Sequence, residues 1–445
     1  MQDESNWSLI PHPGSGLDRN ESAGRRIISE MVSGALALTQ QAEAALVPRL
    51  AIGAYLFCEP DYRQIVMWAE ELGFTPEHVL EQLFRVPVDA QQGWKDDCAT
   101  YIEDGRLNRI ALNRDWLPVD CTRWQRGVDL KSLRIWGGKE KAARFAPGML
   151  KLGHLSVVEQ QLTTLDLSDV PALQELRCWA NRLSELDLNA VPALQKLWCW
   201  SNQLSELDLS AVPGLQWLEC NSNQLRELNL SSVPELRKLG CQENKLCKLD
   251  LCAVPELRKL GCFNNQLTEL DVSRVPALQD LYCYSNQITK LVIGLLPELR
   301  KLGCQDNRLN ELDLSTVPDL RELGCSNNQL TEIDLSSLPA LQLLQCGSNC
   351  ITELNLSGVP ALQQLGCESN QLRTLDLTKV HDLQRLNCSR NQLRELDLNA
   401  VPELQHLYCS SNDFSELDIT PLKKLTHLTY DSDKTRLIQR PDQHF

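Results

Sequence analysis

The sequence has no uncharged apolar stretch approaching the roughly 20 residues of a membrane-spanning helix, so no such helix is expected. It also lacks an excess of basic residues. Its 44 Lys and Arg stand against 59 Asp and Glu, a formal net charge of -15, and nucleic-acid binding needs a positive footprint. No phosphate-binding loop, GxSxG elbow or HExxH helix occurs, and the seven histidines are scattered without metal-ligand spacing. Paired carboxylates recur in every unit as surface decoration rather than as a site. No catalytic residue, metal or cofactor is therefore expected. The opening MQDESNWSLIPHPGSG has no basic region followed by an apolar run, so no secretory signal is expected. A cytoplasmic location is the first expectation, with export by a signal not recognisable here as the alternative.

What the sequence does contain is a comb of twelve cysteines spaced 21 residues apart, from Cys178 through Cys199 and onward to Cys409. An asparagine three residues on keeps the same register, from Asn181 to Asn412. One unit, Pro234 to Val254, reads PELRKLGCQENKLCKLDLCAV. A period in this range with this leucine spacing is the mark of a solenoid. Leu239 and Cys241 are two residues apart and share one face of a strand, while Gly240 and its flanks point the other way. Stacked units then form a parallel sheet with the cysteines inside, where a free thiol behaves as a small hydrophobe. The asparagine side chain is expected to bond the backbone of the turn that follows it. Proline recurs at 11 of 12 equivalent positions, His381 being the exception, and marks where each return segment restarts.

These repeats resemble the bacterial leucine-rich repeat family, and the cysteine-bearing units are similar to the cysteine-ladder repeats of internalin-type proteins. The resemblance runs from about Leu155 to Leu428. It implies an α/β solenoid, a leucine-rich repeat horseshoe with a parallel concave β-sheet, used mostly for binding proteins. No wall-anchoring tail is recognised, and a large domain after the repeats, as in the ubiquitin-ligase effectors of this fold, is not expected.

Twelve of the 18 cysteines belong to the comb. Neighbouring comb thiols come within about 4.8 Å along the sheet, but with parallel Cβ vectors that do not favour a disulfide. Cys247, Cys252 and Cys350 fall at positions that are polar in the other units, and no base accompanies them.

Five segments are expected: a flexible arm (1–22), a small α-helical domain (23–92), an N-terminal cap with degenerate repeats (93–153), the regular repeats (154–420) and a C-terminal cap (421–445). Within the second, helices are predicted from Ala23, over Asp61 to Leu72, and over Pro76 to Val86 with Thr75 as N-cap. Ala69, Gly73 and Val79 match helix-turn-helix offsets. The would-be recognition helix, however, carries Glu77 and Glu81 against Arg85, so a DNA-binding regulator is only a third reading. Leu133 to Trp136 and Leu155 to Val157 repeat the strand pattern with isoleucine and valine in the cysteine column.

Three positions per repeat face outward on the sheet: three before the cysteine, one before it and one after it. Aromatics gather there. Trp136, Trp179, Trp200, Phe263 and Tyr284 follow the column, Trp198, Tyr282 and Tyr408 precede it, and Trp217 and His406 stand three before it. Further along come Arg237, Lys238, Arg258, Lys259, Arg300, Lys301 and Arg321, with Gly240, Gly261, Gly303 and Gly324 expected to leave the centre bare. Either the aromatics cover an open sheet or pack against the N-terminal helices while the basic residues pair with Gln, Glu and Asp of adjacent repeats, or the two form a partner-binding surface rich in hot-spot residue types. A glutamate stripe from Glu185 to Glu416 reads as a solvated face, and Leu291 to Leu296 as a convex apolar patch or simple drift.

The function read from the sequence is a non-enzymatic protein-protein interaction module, acting as adaptor, regulatory subunit or inhibitor on a partner with apolar and acidic segments. A secreted or translocated effector or adhesin that binds a host protein is the alternative.

Overall fold

Repetition at a fixed period makes each residue type stack on its own kind. In the strand Lys238–Gly240, Leu239 and the following Cys241 point inward and are fully or almost fully buried. The neighbouring strand Lys259–Gly261 pairs with it in parallel and without slip, Leu239 opposite Leu260 and Gly240 opposite Gly261. The computed structural model describes residues 49–52, 55–84, 101–103, 106–113, 132–136, 142–143 and 151–443. Across them a 17-stranded sheet runs from Tyr101–Glu103 to His427–Thr429. All its pairings are parallel except the first, where Tyr101–Glu103 runs against Arg106–Asn113. It forms the concave face of a leucine-rich solenoid.

Each unit encloses an apolar core. In the unit from Pro234 to Val254, Leu236, Leu239, Leu246, Leu249, Leu251 and Val254 are all buried beside Cys241. Burial of each such leucine is worth about 1.5–3 kcal/mol, well above an exposed ion pair at about 0–1 kcal/mol. The leucines therefore set the fold and the surface charges do not. All twelve comb cysteines are completely buried and free.

Two devices tie each unit to the one before. The residue two after every cysteine, from Ala180 to Ser411, adopts a left-handed backbone with φ of 52–58° and ends the short strand. Next comes the asparagine, which bonds backwards rather than to the turn ahead. Asn202 Nδ2 donates to the carbonyls of Cys199 in its own unit and Cys178 in the preceding one, both at 3.0 Å. Its Oδ1 accepts the Leu183 N–H, also of the preceding unit, at 3.0 Å. The amide is a staple between neighbours.

The convex side returns through paired turns. Asp250 Oδ1 accepts the Cys252 N–H at 2.9 Å, and the Val254 and Leu257 N–H groups donate three residues back. Pro255 sits exposed between these turns, where its missing N–H leaves nothing unpaired. The unit with Leu291 to Leu296 departs from this: Gly294 has φ of 65°, and a Cβ there would meet Ser273 at 2.6 Å.

Before the repeats, helices Glu59–Leu72 and Pro76–Phe84 match the two expected there, and Thr75 Oγ1 accepts the His78 N–H at 3.2 Å as the N-cap. The purely helical reading of this region is corrected. Arg49–Ile52 and Tyr55–Cys58 pair as an antiparallel hairpin, in a stretch where alternation over four residues on each side is too short to separate from helix by periodicity. The flexible arm and the helix expected from Ala23 lie outside the described residues. At the far end His427–Thr429 extends the sheet, and Tyr430, partly buried, packs against the core in the cysteine column.

Candidate protein-binding surface

The in-register parallel sheet sets equal positions of successive units about 4.8 Å apart, close to the stacking distance of aromatic rings. Trp179 and Trp200 use it: their ring centroids are 4.4 Å apart and their planes 6° from parallel. Trp198 and Trp217 follow at 5.6 Å and 43°. Cations lie over the second pair, Arg177 at 5.0 Å from the Trp198 ring and Lys238 at 4.0 Å from that of Trp217. These tryptophans are thus half-buried by their own neighbours, not fully wet as solvent-facing strand-centre residues would be. Phe263 and Tyr284 form a second stack at 4.3 Å and 11°, with Tyr282 exposed beside it.

An ion cluster lies at the edge of the tryptophans. Glu175 meets His154 Nδ1 at 3.2 Å, Arg177 at 3.7 Å and the Lys196 ammonium. The hydrogen bond with His154 does most to pull its pKa down to about 2; burial opposes this and Lys196 adds to it.

The predicted basic column divides in two. Lys238 pairs with Glu219 at 2.8 Å, Lys259 with Asp280 at 2.7 Å and Lys301 with Glu322 at 2.7 Å. These lysines are neutralised within the sheet by acidic residues of adjacent repeats. Arg237, Arg258, Arg300 and Arg321, one residue earlier, are exposed, and none has an ion pair among the described residues. The free positive charge is an arginine edge, interrupted only by Gln279.

The glycines are not bare. A Cβ on Gly240 would lie 2.0 Å from Glu219 Oε2, and one on Gly324 would lie 2.9 Å from Gln305 Oε1. Gln242 and Gln305 each spread over two glycines in this way. Their absent side chains make room for a neighbour's amide or carboxylate rather than for another backbone.

His406 and Tyr408 do not join the tryptophans. Ten strand steps separate Tyr408 from Trp198, roughly 48 Å along the sheet. Both instead approach His427, at 5.9 and 5.6 Å between ring centroids. Trp136 ends the strand Ser132–Trp136 in register with Asn113, and its side chain lies outside the description. Sequence reasoning allowed for acidic partners in adjacent repeats without naming them: Glu175, Glu219, Asp280 and Glu322. Opposite charges 21 residues apart in one column, as in Glu175 and Lys196, were the available signal.

On the convex side, the glutamate stripe from Glu185 to Glu416 is exposed, and Leu295 stands 68 % exposed above the buried Leu296. Among the described residues no helix is long and apolar enough to cross a membrane, and no three His, Cys, Asp or Glu side chains gather as metal ligands.

The comb of buried cysteines has a solved counterpart. The functional domain of InlJ from Listeria monocytogenes, which includes a cysteine ladder, shares 35% identity over 65% of this chain with a TM-score of 0.63. The chain is a leucine-rich repeat solenoid of the cysteine-ladder kind. This leucine-rich repeat chain covers 64% of that InlJ domain, just under two thirds of its length. YopM from Yersinia enterocolitica is similar at 29% identity, over 75% of this chain and 66% of its own, with a TM-score of 0.59. The plant peptide hormone receptor RGFR1, solved in complex with RGF2, shares the fold alone at 19% identity, over 69% of this chain and 63% of its own, with a TM-score of 0.53. No family model and no curated protein sequence matches the leucine-rich repeat chain.

Proposed function

We propose that the concave sheet binds a protein partner and that the chain works as an interaction module, as adaptor, regulatory subunit or inhibitor. The face-to-face pair of Trp179 and Trp200 beside Trp198 and Trp217 carries this reading. Trp, Tyr and Arg dominate binding hot spots. Rings already fixed by mutual stacking lose little side-chain entropy when a partner covers them. An apolar segment of the partner fits the tryptophan platform. The arginine edge a few strands on attracts an acidic segment, and in a chain of net charge -15 this local positive field gives the encounter its direction.

The plant receptor solved with RGF2 supports the use of such a solenoid to hold a partner. The neighbours are leucine-rich repeat scaffolds, which favours a non-enzymatic role. Fifteen free cysteines among the described residues favour a reducing compartment, so a cytoplasmic partner is proposed first. Detection of the chain in culture supernatant would instead support a partner outside the producing cell.

The test is affinity capture from native lysate with the intact chain and with a Trp179→Ala, Trp198→Ala, Trp200→Ala variant whose circular dichroism is unchanged. A stoichiometric partner lost from the variant supports the aromatic surface as the binding site. The same partner retained by the variant refutes it.

A further inference from the structure

The column one residue before the cysteines reads Gln345, Gly366, Asn387, Tyr408 over four successive strands. Beside the Gln345 amide that covers Gly366 lies a depression of about 230 Å³, lined by Gln364, Arg385, Asn387 and Tyr408, with the buried Leu365 and Leu386 facing the core beneath it. The polar groups around it are biased toward donation. Asn387 Oδ1 already accepts the Ser389 N–H at 3.2 Å, which leaves its amide nitrogen to donate. Gln364 supplies a further amide and Tyr408 a hydroxyl. Arg385 is exposed and, among the described residues, has no ion pair. No carboxylate lines the depression. Glu368, in the same unit as Gly366, lies over Gly347 instead.

We propose that this depression binds a carboxylate carried on a short apolar stem, either an acidic side chain or the chain end of a peptide. The guanidinium of Arg385 takes the two oxygens as a planar fork, the Asn387 amide and the Tyr408 hydroxyl add donors, and the Tyr408 ring takes the stem. The site lies nine strand steps, roughly 43 Å, from Trp198. It stands apart from the aromatic platform, so loss of the tryptophans leaves it intact.

The experiment is an NMR titration of the full chain with labelled tyrosine rings and arginine side chains. Four probes are used: N-acetylglutamate N-methylamide and its glutamine counterpart, then N-acetylleucine and its amide. A saturable shift of Tyr408 and Arg385 is expected with a carboxylate probe and not with its neutral partner; whichever acid binds identifies the source as side chain or chain end. Arg385→Gln is expected to weaken binding at least about tenfold, as for a charge-assisted bidentate contact. Gly366→Ala provides a second variant, because its Cβ would lie 2.0 Å from Gln345 Oε1 and push that flexible amide into the depression. Equal responses to acid and amide, no saturable shift with either acid, or unchanged affinity in the Arg385→Gln variant would each overturn the proposal.

Discussion

The Lys238 ammonium stands 2.8 Å from Glu219 while also lying over the Trp217 ring, so its charge is spent inside the sheet. Arg237, its chain neighbour, is exposed and unpaired among the described residues. Two adjacent cations in sequence therefore have different consequences for binding. Arg237→Ala and Arg258→Ala are each expected to slow association with an acidic partner about threefold at low salt and to flatten its salt dependence. Removing the pair together, Lys238→Ala with Glu219→Ala, is expected to leave the association rate nearly unchanged. Stopped-flow association at two ionic strengths checks this, and equal effects from the double variant and the arginine variants would remove the distinction.

Asn265 donates to the carbonyls of Cys241 and Cys262 at 3.1 and 3.0 Å and accepts from the Leu246 N–H at 3.0 Å. Asn265→Ala strands the buried Leu246 N–H and removes one of two donors from each carbonyl, Cys241 keeping Asn244 and Cys262 keeping Asn286, and is expected to cost about 1–3 kcal/mol in urea unfolding. Hydrogen exchange at the Leu246 amide should accelerate in step. A loss below about 1 kcal/mol would show that water replaces the side chain.

Burial pushes the thiols of Cys178, Cys241, Cys304, Cys346 and Cys409 up to about 12, and the other comb cysteines well above their ordinary value. The thiolate is the reactive form. Alkylation of the folded chain with iodoacetamide at neutral pH is expected to label Cys247, Cys252 and Cys350, which are exposed, and to spare the comb until denaturant is added. Among these three Cys252 should react more slowly than an ordinary thiol, because the hydrogen bond with Asp250 raises its pKa. Peptide mass mapping reads both results.

The carboxyl of Glu175, with its pKa lowered to about 2, contributes stability that is fully present above its ordinary value of 4.5 and is lost as pH falls toward 2. His154 and Lys196 are both partly exposed, and solvent screening holds the contribution to about 1–2 kcal/mol. Glu175→Gln is expected to lower stability by that amount near pH 6, with the difference from the parent shrinking below about pH 4. Denaturant melts across this range test it; a gap that widens on acidification would contradict the assignment.

The fold was legible because Leu239 and Cys241 report their burial through spacing alone, and twelve repeats of one pattern leave no competing register. The stacking of Trp179 on Trp200 also follows from equal positions one repeat apart. What spacing could not show was a charge partner in another column. Lys238 and Glu219 meet because their side chains lean toward each other across two strands from different columns, a choice of rotamer that no single repeat records. The direction of the asparagine bonds depends in the same way on the left-handed residue before it, a backbone state adopted here by serine, glutamate and arginine alike. The hairpin at Arg49–Ile52 was hidden for a different reason, since so short a stretch fits both periods.

The backward staple of each asparagine also bears on how such a chain can change over generations. Because every unit bonds only to its immediate neighbours, a whole repeat can be gained or lost by unequal recombination with its joints remade on both sides. A unit inserted between Lys238 and Arg258 would keep the contacts of Lys238 with Trp217 and Glu219 and move the tryptophans and the later arginines apart by one strand spacing. The solenoid then serves as a graduated ruler, along which selection can tune the distance between two grips without redesigning either.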